Sequence, residues 1–245
     1  LDAMNYAFYQ DARFMIVGTP SGISLAPEGG AHQSIGTPLI GISQPGLLSF
    51  EPAFADELAL IMNYGFNFLQ DEDGGSIYLR LSTRTIDQPM REIDNELKNN
   101  IIKGGYWLKK PGPNAEVIIV YQGAVASEVI EATAFLGERF KDLGVLSVTS
   151  SDNLFHEWKK QALSFKNNKT QSHIEKLLES VPKDTRIITV IDGHPMTLSW
   201  IGSVYGHKTI PLGIDRFGQT GNIKDLFNEF GIDTNNISNL GFNLS

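Results

Sequence analysis

The residue types best suited to chemistry gather in one stretch, Gly18-Thr19-Pro20-Ser21-Gly22-Ile23-Ser24-Leu25-Ala26-Pro27-Glu28-Gly29-Gly30-Ala31-His32-Gln33-Ser34. Glu28 and His32 are its ionisable pair, and Gln33 adds an amide donor and acceptor. An imidazole titrating near neutrality can give or take a proton at physiological pH. Glycines let a backbone approach a ligand closely and adopt positive φ. From the residue types alone, two readings stay open: a ligand loop, or a Gly-rich surface turn that exposes a histidine.

The other candidates read as structural. His156, His173, His194 and His207 show no metal-ligand spacing with one another and are expected in structural or surface roles, so no metal site is expected. Arg84 reads as an exposed basic residue and Ile191-Asp192-Gly193 as a strand-end turn. No Gly-x-Ser-x-Gly elbow and no Walker-type loop occurs. Cysteine is absent, which excludes disulfides, thiolate metal sites and cysteine nucleophiles. A net charge of −8 and a pI near 5.1 argue against a nucleic-acid surface. No apolar run reaches membrane-span length and the N-terminus lacks a signal-peptide pattern, so no membrane partner is expected and a cytoplasmic enzyme fits.

The elements around these residues follow from pattern. Arg13 to Thr19 is a short apolar run ending in turn residues, which suits a buried parallel strand. About thirty residues rich in Gly, Pro and Ser come next, a loop length usually tied to function or disorder. Phe54, Leu58, Ile61, Met62, Gly65 and Leu69 then share one helical face, and Ser76 to Ser82 reads as a second strand. Phe54, Phe66 and Phe68 are expected in packing roles. Strands are expected at 116–121, 143–149, 186–192 and 207–214, with helices at 125–141, from about 196, and at 223–230 before Gly231. Alternating strands and helices predict an α/β fold of two domains, with mostly parallel sheets flanked by helices. The expected division is 1–84, a linker over 85–114, and 115–245. Leu1 to Phe8 reads as a helix already under way, and the chain is expected to be a fragment whose first domain lacks its beginning.

Three runs carry a resemblance. Glu28-Gly29-Gly30-Ala31-His32-Gln33-Ser34 resembles the transketolase motif Asp-Gly-Pro-Thr-His-Gln-Pro. Leu47 to Leu58 looks like the Tyr-Asp-Pro-Ala-Tyr type of run in homodimeric pyruvate dehydrogenases, and Ile214-Asp215-Arg216-Phe217-Gly218-Gln219-Thr220 is similar to their Thr-Asp-Gly-Phe-Gly-Arg-Ser. The matches are in order and span nearly the whole chain, so the sequence resembles the C-terminal part of thiamine-diphosphate enzymes of the transketolase and homodimeric pyruvate dehydrogenase group.

The resemblance implies a partial pyrimidine-binding domain followed by a transketolase-type C-terminal domain. It also implies an active site shared between two subunits, with thiamine diphosphate and Mg²⁺ held mainly by parts of the enzyme outside this chain. By the same resemblance His32 and Glu28 are the catalytic residues, His32 facing the thiazolium and substrate, and Gln33 supports substrate binding. Glu28 stands where transketolases have an aspartate that contacts sugar hydroxyls, and the extra methylene leans toward a smaller 2-oxo acid. The implied activity is that of a pyruvate dehydrogenase E1 component, a homodimer that decarboxylates the oxo acid and acylates a lipoyl group on an E2 acyltransferase. The alternatives are a transketolase moving two-carbon units between sugar phosphates, and a non-catalytic dimerisation module. The chain by itself is expected to be inactive.

Overall fold

The computed structural model describes residues 2–19, 22–164 and 170–243. Leu1, and Pro20 and Ser21 of the Gly-rich stretch, lie outside the described residues. A first sheet is built from β1 (Met15–Gly18), β2 (Leu47–Phe50) and β3 (Ser76–Arg80) in the order β1-β3-β2, all parallel. Leu79 at its centre pairs with Val17 on one side and Phe50 on the other. Helices α1 (Asp2–Tyr9), α2 (Pro38–Ser43) and α3 (Ala55–Phe68) belong to this part. Side chains alternate across β3, as the strand period requires. Ile77 and Leu79 pack with Phe50 and Ile61, whereas Tyr78 joins Phe8 and Leu47 on the opposite face.

A second sheet has the order β4-β6-β5-β7-β8. Its strands are β4 (Gly105–Lys109), β5 (Val117–Gln122), β6 (Gly144–Val148), β7 (Arg186–Ile191) and β8 (Thr209–Leu212). All pairings are parallel except that of β4 with β6. The central β5 is buried along its whole length, which is why its sequence runs apolar without alternation. Val117, Ile119 and Tyr121 face one core with α5 (Ala126–Arg139), α9 (Ile223–Glu229) and α10 (Thr234–Phe242). Ile118 and Val120 face another, with α6 (Ser151–Ala162), α7 (His173–Leu178) and α8 (Met196–Ser199). Full burial of each such aliphatic stabilises the fold by about 1.5–3 kcal/mol. The mixed α/β fold with mainly parallel sheets flanked by helices is the one the sequence predicts.

Residues 85–114, expected as a connection, contain α4 (Asn95–Lys103) as well as β4. Asp94 caps α4 by accepting from the Leu97 amide at 2.7 Å, and Gly104 ends it at φ 110°. Ile101 and Tyr106 from this stretch pack into the core of the first sheet, although β4 pairs with the second. The stretch therefore ties the two sheets together. No helix among the described residues is long and apolar enough to cross a membrane.

Candidate functional site

The two sheets meet at the C-terminal ends of their strands, the edge at which parallel α/β sheets bind ligands. Glu51 leaves the end of β2, and Arg80 is the last residue of β3. Facing them are Gln122 at the end of β5, Thr149 after β6 and Asp192 after β7. The Glu51–Arg80 pair is almost fully buried, with side chains 3% and 2% exposed. The Gln122 amide donates to Glu51 Oε2 at 2.9 Å, and the Glu51 amide donates to the Thr149 carbonyl at 2.8 Å. Besides its bond to Glu51, Arg80 donates to Thr37 Oγ1 at 2.8 Å, to the Ser34 carbonyl at 3.0 Å and to the Asp192 carbonyl at 2.8 Å. Desolvation raises the Glu51 pKa to about 7 despite the guanidinium beside it. Burial pushes the carboxyls of Asp192 and Asp152 upward as well. The crevice at the end of the second sheet is thus filled by side chains of the first.

This junction carries the Gly-rich loop. It leaves β1 at Gly18 and bears a short 3₁₀ turn over Ala26–Glu28. Both oxygens of the buried Asp192 carboxylate are used, Oδ1 accepting from the Ile23 amide at 2.7 Å and Oδ2 from the Ser24 amide at 2.9 Å. Further along, the Gly221 amide donates to the Ala26 carbonyl at 3.1 Å, and the His194 amide to the Ile35 carbonyl at 2.8 Å. Gly30 lies so close to the Gly218 carbonyl that a β-carbon there would collide with it. The loop with His32 and the run from Ile214 to Thr220, nearly two hundred residues apart in sequence, are therefore in direct contact.

Glu28 and His32 stand exposed on the outer side of this loop. They share an open cleft of about 430 Å³ with Thr19, Leu25, Ala31 and Ser34. Glu28 also borders a second cleft of about 480 Å³, whose other walls include Ser24, Thr83, Arg84 and Ile223. Among the described residues the His32 ring and the Glu28 carboxylate hold no hydrogen-bond or ion-pair partner, which leaves both free for a ligand. An acid and an imidazole in one open cleft can bind a polar substrate and exchange a proton with it. Gln33 lies elsewhere. It is buried and donates to the Gln219 carbonyl at 3.0 Å, on the side that faces the second sheet.

Arg84 differs from its expected exposure. It is half-buried, forms a two-pronged ion pair with Glu128 at 2.6 and 2.8 Å, donates to the Ala124 carbonyl, and lies over the Phe227 ring. His173 and His207 are buried and hydrogen-bonded to the carbonyls of Gly105 and Thr185, as structural histidines are. Phe54 is buried, whereas Phe66 and Phe217 are exposed. Sequence reasoning missed Glu51, Arg80 and the anchoring role of Asp192. A charged residue closing the otherwise apolar Ile77-Tyr78-Leu79-Arg80 strand was the available signal, since a buried charge demands a partner.

Comparison with known proteins assigns the family. The profile of the transketolase-like TK C-terminal domain matches residues 104–233, just over half of the chain. The chain belongs to this transketolase-like family. The pyruvate dehydrogenase E1 component of Buchnera aphidicola subsp. Baizongia pistaciae is 29% identical over 241 residues, covering 91% of this chain and 26% of that protein. Transketolase of Bacillus subtilis is 25% identical over 224 residues, covering 91% of this chain and 30% of that protein. In fold, the transketolase of Leishmania mexicana superposes with a TM-score of 0.77 at 18% identity, over 100% of this chain and 32% of that one. The transketolase-like chain thus spans about a quarter to a third of the length of these relatives and is related in sequence to both enzymes.

Proposed function

We propose that this chain is a portion of a thiamine-diphosphate-dependent 2-oxo acid dehydrogenase E1 component, with pyruvate as its substrate. The whole enzyme, a cytoplasmic homodimer, decarboxylates the oxo acid and acylates a lipoyl group on an E2 acyltransferase. The observation that carries this reading is the pairing of exposed Glu28 and His32 in one open cleft at the end of β1. Supporting it are the likeness to the Buchnera pyruvate dehydrogenase over nearly the full chain, and a glutamate at position 28.

The residues present fit one end of the cofactor. An unpartnered imidazole and carboxylate beside Thr19 suit its thiazolium end and the substrate carbonyl; bound there, the cofactor supplies the electron sink for decarboxylation. His32 holds the substrate oxygen or carboxylate and moves a proton at that oxygen, and Glu28 lines the cleft wall beside it as a second proton-exchanging group. Gln33 supports the loop beneath them through its bond to Gln219. The diphosphate and Mg²⁺ belong to parts of the enzyme outside this chain, which by itself is inactive. On this reading residues 1–84 are the end of the pyrimidine-binding domain and 115–245 the C-terminal domain, with 85–114 joining them.

The likeness to the Bacillus transketolase favours a second reading, transfer of two-carbon units between sugar phosphates. Assay of the complete enzyme separates the two. Decarboxylation of pyruvate with an artificial electron acceptor and no turnover of xylulose 5-phosphate supports the first, and the reverse pattern overturns it in favour of the second.

A further inference from the structure

We propose that Asp192 is a positioning residue for the His32 cleft, fixing from the far sheet the loop on which Glu28 and His32 stand. Its consequence for turnover rests on the function proposed above; its effect on the loop does not.

Asp192 gathers both ends of the loop. Its carboxylate accepts from two consecutive amides at the entry, Ile23 and Ser24, and its carbonyl accepts from Arg80 Nη2. That same Nη2 donates to the Ser34 carbonyl at the exit. A charged acceptor with two backbone donors is among the stronger hydrogen-bond arrangements, and burial strengthens it further. The fit is tight as well, because a β-carbon on Gly22, which sits at φ 39°, would collide with the Asp192 carboxylate. Leu25 and Glu28 follow within a few residues and line the cleft with His32. A shift of the anchored segment by about 1 Å would carry these walls with it, and a misplacement of that size costs about 10²-fold in rate.

Two variants test this. Asp192→Asn replaces one acceptor by a donor that opposes a loop amide. Gly22→Ala pushes the loop off an intact carboxylate. Hydrogen exchange in this chain is expected to accelerate about tenfold or more at residues 22–34 in both variants, while β5, β6 and β7 stay within about twofold of wild type. In the Asp192→Asn spectrum the His32 ring resonances are expected to move. Unchanged loop exchange, or acceleration spread equally over both sheets, overturns the proposal. If Asp192→Asn does not fold, Gly22→Ala decides alone.

In the complete enzyme carrying this chain, Asp192→Asn is expected to lower kcat about tenfold or more with KM changed less than about threefold. Loss of turnover in His32→Ala with normal kcat in Asp192→Asn overturns the positioning role. Normal turnover in His32→Ala overturns instead the function assigned to the cleft, and loop exchange then still decides whether Asp192 sets the loop.

Discussion

Replacing Glu51 by glutamine is expected to flatten the pH dependence of stability between pH 4.5 and 8. Glu51 is buried at the seam between the sheets, paired with the Arg80 guanidinium and close enough to the Asp192 carboxylate for that charge to raise its pKa. Desolvation lifts its pKa from 4.5 to about 7. The folded chain therefore keeps the Glu51 proton over a range in which the unfolded chain has lost it. The stabilisation this proton provides is complete below pH 4.5 and is withdrawn as pH rises to about 7. At about 1.36 kcal/mol per pH unit, the span from 4.5 to about 7 corresponds to about 3 kcal/mol. Glutamine keeps the shape but does not titrate, so the stability of the variant relative to wild type rises by about that amount from pH 4.5 to 8. Urea unfolding of both proteins across this range, with constant m-values, measures the difference directly. Parallel curves, or a variant that loses ground to wild type with rising pH, would refute the reasoning.

Three further substitutions probe the frame of the site. Tyr106→Phe removes the 2.5 Å hydrogen bond that its hydroxyl donates to buried Glu57 and the one it accepts from Arg91; urea unfolding is expected to show a loss of about 1.5–3 kcal/mol, and an unchanged midpoint would contradict it. Arg84→Ala leaves half-buried Glu128 without its two-pronged partner, with an expected loss of about 1–3 kcal/mol that is only partly reproduced by high salt in wild type. Gly123→Ala forces a β-carbon at φ 68° against the Glu51 carboxylate; a loss of about 1–3 kcal/mol is expected, and Glu51→Gln in the same chain is expected to recover little of it.

Much of the fold was legible because its inner strands β3, β5, β6 and β7 are buried almost throughout. Edge strand β1 is not the buried strand its sequence suggests, since Val17 is exposed, but it is apolar all the same. The apolar runs at Met15–Gly18, Val117–Gln122 and Arg186–Ile191 announce themselves, as does the stripe of Phe54, Leu58 and Ile61 along α3. Short or masked elements were not legible. β2 has four residues after Pro45-Gly46 and hides in a Gly-rich region, and β4 is an edge strand between Gly104 and Lys110-Pro111. At the site, Glu28 and His32 could be picked out by type, but their surroundings could not. Asp192 reads locally as a turn residue because its partners, the amides of Ile23 and Ser24, lie in another sheet's loop and involve no side-chain pattern. Gln33 has the same difficulty, since a backbone carbonyl at Gln219 leaves no mark in the sequence. Arg84 looked solvent-exposed because Glu128 comes from a helix in the other half.

The most direct measurement is pyruvate decarboxylation by the complete enzyme carrying His32→Ala, at saturating cofactor. On the proposed reading, in which His32 faces the substrate and moves its proton, kcat falls by about 10²-fold or more while the fold persists. A variant that turns over at the wild-type rate would remove His32, and the cleft it shares with Glu28, from the chemistry.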